Sequence, residues 1–324
     1  MNQFHRPRAW LIGGCLLLAL IVLVQWLIGW PAMLAPWRTF SPLLLGSLLA
    51  LTLMSYLLRA WRVQRYFAPQ LDGRLVATFK LSALHTTANV LLPMRLGELA
   101  FPWLMRRYFG HNLLATGVAL LWIRVLDVHC LVLFGWIALW LHQPNLFFII
   151  AALLWVGTLG WLQQATVFVQ RWRPPPRWAT LLQQLTTAVP QLPGQIVQLY
   201  LLTVLSWLTK LIAFAVVLQQ VAGLASWQAL AGALGAELSS VLPIHGIAGA
   251  GSYEVAAVAA LVPLGVDAST ALAAAVNLHL FMLAASVLIG TVALLLPHQA
   301  VTAATNTTAP AVRHDPVPHA PQSG

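Results

Sequence analysis

Charge is what this chain has least of. Only 7% of its 324 residues are Asp, Glu, Lys or Arg, and just seven of them are acidic. A soluble globular protein carries about 25% charged residues, so a water-soluble enzyme or binding domain is excluded. Cysteine is nearly missing as well. Cys15 and Cys130 both sit inside apolar runs, form no disulfide framework and show no metal-ligand spacing, so they read as small core residues. No G-x-x-x-x-G-K-[ST] loop occurs, which argues against ATP hydrolysis by this chain. Nor does a nucleophile, a paired histidine or a phosphatase-like Lys/Arg/His/Asp series stand out.

What is present is apolar. Hydrophobic residues make up 60% of the chain and the mean hydropathy is +0.81, which together describe an all-α polytopic membrane protein. Hydropathy places about six full spans at residues 9–28, 41–58, 113–141, 146–164, 197–221 and 268–296. Residues 9–28 follow a basic start and resemble a signal peptide, but the run is too long for an h-region and lacks an A-x-A site after it, so it reads as a span. Two more apolar stretches, 75–109 and 228–264, are interrupted and read as re-entrant or broken helical hairpins. The tail 297–324, rich in Pro, Thr and Ala, is expected to be disordered.

The net charge of +10 is not gathered on a soluble face, so nucleic acid is not an expected partner. The arginines flank the apolar runs instead. If the short N-terminus 1–8 is cytoplasmic, Arg59, Arg62, Arg65, Arg74, Arg106, Arg107, Arg171, Arg173, Arg177 and Arg313 all fall on the cytoplasmic side. That holds only when 75–109 enters and leaves by the cytoplasmic face and 228–264 by the opposite one. Residues 9–141 and 146–296 then share one order (span, span, hairpin, span) with opposite orientations, the inverted repeat common in transporters.

Both interruptions have the same ingredients. The first reads Leu92-Pro93-Met94-Arg95-Leu96-Gly97-Glu98, and the second runs from Leu242 through Pro243, His245, Gly246, Gly249 and Gly251 to Glu254. Proline removes a backbone donor and ends an arm, glycine permits a sharp reversal, and a glutamate opens the next helix. Broken backbone at membrane depth is tolerated only where protein or a water-filled cavity covers it. The two breaks are therefore expected to line one polar cavity, unless they are simply proline kinks in a bundle.

Ionised groups inside a membrane cost ~2.5–3.5 kcal/mol each on insertion scales and so need a reason. Arg124 and Asp127, three apart on one span, form either a self-neutralising structural pair or a phosphate holder. Glu98 and Glu254 occupy first-turn positions, where a carboxylate either caps the helix or serves the site. Arg95 at the first hairpin tip combines a guanidinium with positive helix ends and is read as an anion binder. Lys210 lies mid-span and is expected to face Glu237 or a headgroup. Lys80, near the cytoplasmic edge, is expected to snorkel. His85, His129 and His279 read as hydrogen-bonded core residues. The segment 171–195, with its Arg, Trp and Pro cluster, reads as a cytoplasmic loop and interfacial helix.

The Leu-Pro-x-x-x-Gly-Glu segment at 92–98, the Arg-x-x-Asp pair at 124 and 127, and the Leu-Pro-x-x-Gly-x-x-Gly-x-Gly-x-x-Glu segment at 242–254 resemble the flippase-like transmembrane family. Its best-known region is the membrane half of lysylphosphatidylglycerol synthase, also called multiple peptide resistance factor. The resemblance covers roughly residues 10–296; the family's second break more usually carries small residues where this chain has His245 and Ile247. It implies a bacterial cytoplasmic (inner) membrane protein whose partners are membrane lipids, either an anionic or aminoacylated phospholipid or a lipid-linked sugar. It implies lipid translocation; no cofactor or metal is expected, and the charges at membrane depth and at the breaks, Arg95, Glu98, Arg124, Asp127, Lys210, Glu237, His245 and Glu254, are the substrate-binding candidates. The alternatives are an intramembrane lipid-modifying enzyme and a non-catalytic partner of one.

Overall fold

Lipid offers no hydrogen bonds, so a chain that lives in it must satisfy its backbone within its own segments, and helix is the one open structure that does so. The computed structural model describes residues 29–92, 97–171, 190, 193–239 and 247–296, with isolated positions between 18 and 26. Among them there is helix and no strand. In chain order the helices are α1 Trp30–Leu34, α2 Pro42–Tyr66, α3 Leu75–Leu91, α4 Gly97–Phe109, α5 Leu113–His142, α6 Leu146–Arg171, α7 Pro193–Ala222, α8 Ser226–Ser239, α9 Ser252–Leu261 and α10 Ala268–Leu295.

The long helices start where the sequence supplies a cap. Ser41 accepts the Leu44 N–H at 3.2 Å before α2, and Asn112 accepts the Leu114 N–H at 2.8 Å before α5. Asp267 does the same for Ser269 and Thr270 before α10. The Ser269 hydroxyl first, and then the Thr270 N–H, hold the exposed Asp267 carboxyl below its ordinary carboxylate value.

Four helices are long and apolar enough to cross a membrane: Pro42–Tyr66, Leu113–His142, Gly194–Ala222 and Ala268–Leu295. In α6 the stretch Leu146–Trp161 is apolar but shorter than those four, and of the expected span at 9–28 only isolated positions are described. Leucines such as Leu43, Leu153 and Leu154 stand on the outside of the bundle, where water would drive aggregation and lipid would not. The chain is an integral membrane protein.

The two interrupted stretches are pairs of short helices. With 17 and 13 residues in α3 and α4, and 14 and 10 in α8 and α9, no arm spans the ~30 Å hydrocarbon core at 1.5 Å per residue. Each pair folds back on itself. Gly97 meets the backbone of Ala88 and Asn89, and further along the pair Phe101 lies against His85, ring centroids 5.1 Å apart. In the second pair Gly235 faces Ala256 and Ala260, while Gly232 faces Leu261. Small residues at such crossings let backbones approach and replace the missing hydrophobic drive.

Around these pairs the helices pack in a corresponding pattern. α2 lies along α7; α3 packs on α2, α4 and α10, whereas α8 packs on α7, α9 and α5. Polar cross-links fix the contacts: the Ser55 hydroxyl donates to the Ser206 carbonyl at 2.8 Å, and the Thr87 hydroxyl to the Ser286 carbonyl at 3.0 Å. Trp37 and Asn277, 2.5 Å apart, tie the turn after α1 to α10.

Two sequence expectations need correction. Hydropathy ends the second span at residue 58 and assigns Arg59, Arg62 and Arg65 to a loop, but α2 continues to Tyr66 and Arg62 is buried inside the protein. A hydropathy sum charges each arginine separately, whereas an arginine that meets a carboxylate inside the bundle escapes most of that cost. Lys80, expected to snorkel, is buried as well; its ammonium donates to the Leu296 carbonyl at 2.6 Å, at the C-terminal end of α10. Pro93, Arg95, Pro243, His245 and Gly246, along with the loop at 172–189, the first seventeen residues and the tail after Leu296, lie outside the described residues.

Candidate functional site

The polar side chains that the membrane should exclude converge on one cavity. It measures about 350 Å³ and lies between the two helix pairs, walled by α2, α3, α5 and α7, by Phe101, Glu237, Tyr253 and Met282, and by Ala248 and Gly249 from the second break. Asn89 and Val90, just before the first break, line it too. Residues beside both interruptions thus share one space.

Asp127 organises its floor. One carboxylate oxygen accepts Arg62 Nη1 at 2.6 Å and the Trp207 indole N–H at 3.0 Å; the other accepts Arg124 Nη1 at 3.2 Å and Arg62 Nη2 at 3.5 Å. Arg62 also donates to the Thr203 hydroxyl at 2.8 Å. Arg124 reaches the other way, to Glu98 at 2.7 Å, and Glu98 further accepts the Asn89 amide at 2.8 Å. Glu98 therefore ties the start of α4 to α3 and α5. The Arg62–Asp127 pair is the more deeply buried, with side chains 5% and 6% exposed, against 28% for Arg124.

A second group sits across Trp207. Lys210 bridges to Glu237 at 2.6 Å, linking α7 to α8. Its ammonium lies 5.1 Å from the Trp207 ring centroid, and the Arg59 guanidinium lies 5.0 Å from the same ring. Trp207 thus lends its N–H to a carboxylate and its π-face to two cations.

The second break is held by Glu254 and His279. Gly249 and Gly251 take φ of 81° and 87°, and Ala248, a non-glycine residue, takes 55°, so the chain reverses through backbone angles that side chains disfavour. Glu254 accepts the Gly251 N–H at 2.8 Å, capping α9. Its other oxygen meets His279 Nδ1, and His279 Nε2 lies 2.7 Å from the Ala248 carbonyl. Capping and a buried histidine contact are both present in one carboxylate.

Of the residues singled out in the sequence, Glu98, Arg124 and Asp127 join in one network and Lys210 and Glu237 in another, while Glu254 is tied to Gly251 and His279. Arg95 and His245 lie outside the described residues. Sequence reasoning missed Arg59, Arg62, Thr203, Trp207, Asn89 and the partnership of His279. Two of these carried a signal: Arg59 and Arg62, like Trp207 and Lys210, are three apart and so share a helix face. Among the described residues no group of three or more His, Cys, Asp or Glu side chains converges as a metal site would require.

Comparison with known proteins gives one result. No curated protein and no solved structure matches. The family described as lysylphosphatidylglycerol synthase TM region matches residues 10–290, which takes in both helix pairs, the cavity and all but the last turns of α10, so this chain belongs to that family.

Proposed function

We propose that the protein draws the polar headgroup of a membrane lipid into the cavity and passes it between leaflets while the acyl chains stay in the bilayer. The observation that carries this reading is the placing of four cations, Arg59, Arg62, Arg124 and Lys210, around one cavity inside an apolar bundle. Its volume of about 350 Å³ sits at the small end of the ~300–1,000 Å³ range of ligand pockets, enough for a headgroup and too little for two acyl chains. Leu121 lines the cavity and is also 65% exposed on the outer face of α5, which gives the space a side facing lipid. Membership of a family linked to lipid handling agrees.

The matching contact patterns of α2 to α5 and α7 to α10 support reading the halves as inverted repeats, with the helix pairs entering from opposite faces of a bacterial inner membrane. Alternating access would then come from one pair moving against the other around the fixed network. On this reading the protein transfers lipid and does not modify it.

The test is leaflet transfer in vesicles that hold the purified protein, using acyl-labelled phospholipids and a membrane-impermeant quencher. Wild type should equilibrate the label much faster than empty vesicles. Met282→Trp, which fills the cavity from α10 without touching an ion pair, should slow transfer about tenfold or more, the scale of a blocked binding step. Transfer at the empty-vesicle rate, or equal rates for wild type and Met282→Trp, would overturn the reading.

A further inference from the structure

The charges around the cavity do not balance. Arg62 and Arg124 share Asp127 and Glu98, and Lys210 has Glu237. Among the described residues that leaves Arg59 with no carboxylate within ion-pair distance, and its guanidinium lies 5.0 Å from the Trp207 ring centroid. Asp127 makes no direct bond to it, its two oxygens accepting from Arg62, Arg124 and Trp207. Arg59 Nε and Nη2 are sealed from solvent without a hydrogen-bond partner, and so are Arg62 Nε and Arg124 Nε. Among the described residues the cavity wall therefore carries one surplus positive charge and several N–H donors without a partner. A buried guanidinium in that state is costly, and an occupant that brings one negative charge and several acceptor oxygens removes the cost.

We infer that the occupant is a phosphodiester with a net charge of minus one, gripped by Arg59. This rests on the lipid-transfer reading and narrows it: a diester monoanion cancels the surplus, a zwitterionic headgroup leaves it standing, and a headgroup made cationic by an aminoacyl group adds to it. Two lipid classes carry such a diester, a glycerophospholipid such as phosphatidylglycerol and a prenyl phosphate esterified to a sugar. Trp207 and Arg59 both line the cavity, the ring 5.0 Å from the guanidinium, whose planar fork suits a phosphate.

The test is competition binding in detergent, with tail-labelled phosphatidylglycerol as tracer. The competitors are phosphatidylglycerol, a short prenyl-phosphate hexose, phosphatidylcholine and a lysyl ester of phosphatidylglycerol. For wild type, at least one of the two diester monoanions should bind about tenfold tighter than phosphatidylcholine and than the lysyl ester, as one charge-assisted contact provides; which of the two binds tighter identifies the source of the phosphate. Arg59→Gln should lose that preference and Arg59→Lys should keep most of it. No preference in wild type, a preference for the lysyl ester, or an unchanged preference in Arg59→Gln would each overturn the inference. If Arg59→Gln does not fold, the wild-type series and Arg59→Lys still decide. Lipid transfer without charge preference defeats this inference alone, whereas loss of transfer in wild-type vesicles defeats the reading beneath it.

Discussion

Asp127 is the residue on which most depends, because four donors from three side chains meet on its two oxygens. Neutralising it leaves Arg62 buried without its countercharge, and breaking a buried pair from one side costs about 3–5 kcal/mol. Asp127→Asn should therefore lower thermal stability in detergent by that order, and Arg62→Gln combined with Asp127→Asn should be milder than the sum of the two single changes. Arg124, more exposed and already paired with Glu98, should show a weaker coupling to Asp127 than Arg62 does. Equal coupling energies in the two cycles would contradict this ranking. The Arg124–Asp127 contact was legible from an i,i+3 spacing on one helix. Arg62 was not, since its partner is 65 residues away and only the fold brings α2 against α5.

At the scale of the helix, glycine decides whether the pairs close. A Cβ on Gly97 would overlap the backbone of Ala88 and Asn89, and one on Gly235 would strike the Ala256 carbonyl and the Ala260 side chain. Backbone cannot step aside, so Gly97→Ala and Gly235→Ala should each destabilise by about 1–3 kcal/mol, the range of overpacked cores. Gly46, with open space around it, should tolerate alanine or gain slightly from its better helix propensity. Melting of the three variants in detergent separates these cases; a Gly97→Ala protein as stable as Gly46→Ala would mean that the arms are not in contact. Proline and glycine made the interruptions visible in the sequence, and the ends of α5, α7 and α10 fell within a few residues of the hydropathy limits. The far end of α2 did not, because its last two turns are charged and owe their helix to partners on α5 and α7.

For the whole molecule the open quantity is its direction in the membrane. The proposed orientation places the turn around Asp72 on the cytoplasmic side and the turn at Gln143 outside, and both positions are exposed. Cysteine introduced at Gln143 should react with an impermeant maleimide in intact cells, while cysteine at Asp72 should react only after permeabilisation. Labelling in the opposite sense would invert every helix. Membrane residence and the two helix pairs were readable from composition and punctuation alone. A shared polar cavity followed from the broken backbone of both pairs, but the helix contacts that close it, α3 on α10 and α8 on α5, are encoded by no local pattern.

The joint between His279 and the second break has a consequence in protons. Its Nε2 faces the Ala248 carbonyl, which has no hydrogen to give, so Nε2 must carry one. A hydrogen bond between Nδ1 and Glu254 then needs one further hydrogen, lying between the two atoms. Remove that hydrogen and two lone pairs confront each other across the seam between α9 and α10. The polar link across that seam thus hangs on one hydrogen, whose isotope exchange at His279 can be timed against the proposed passage of lipid.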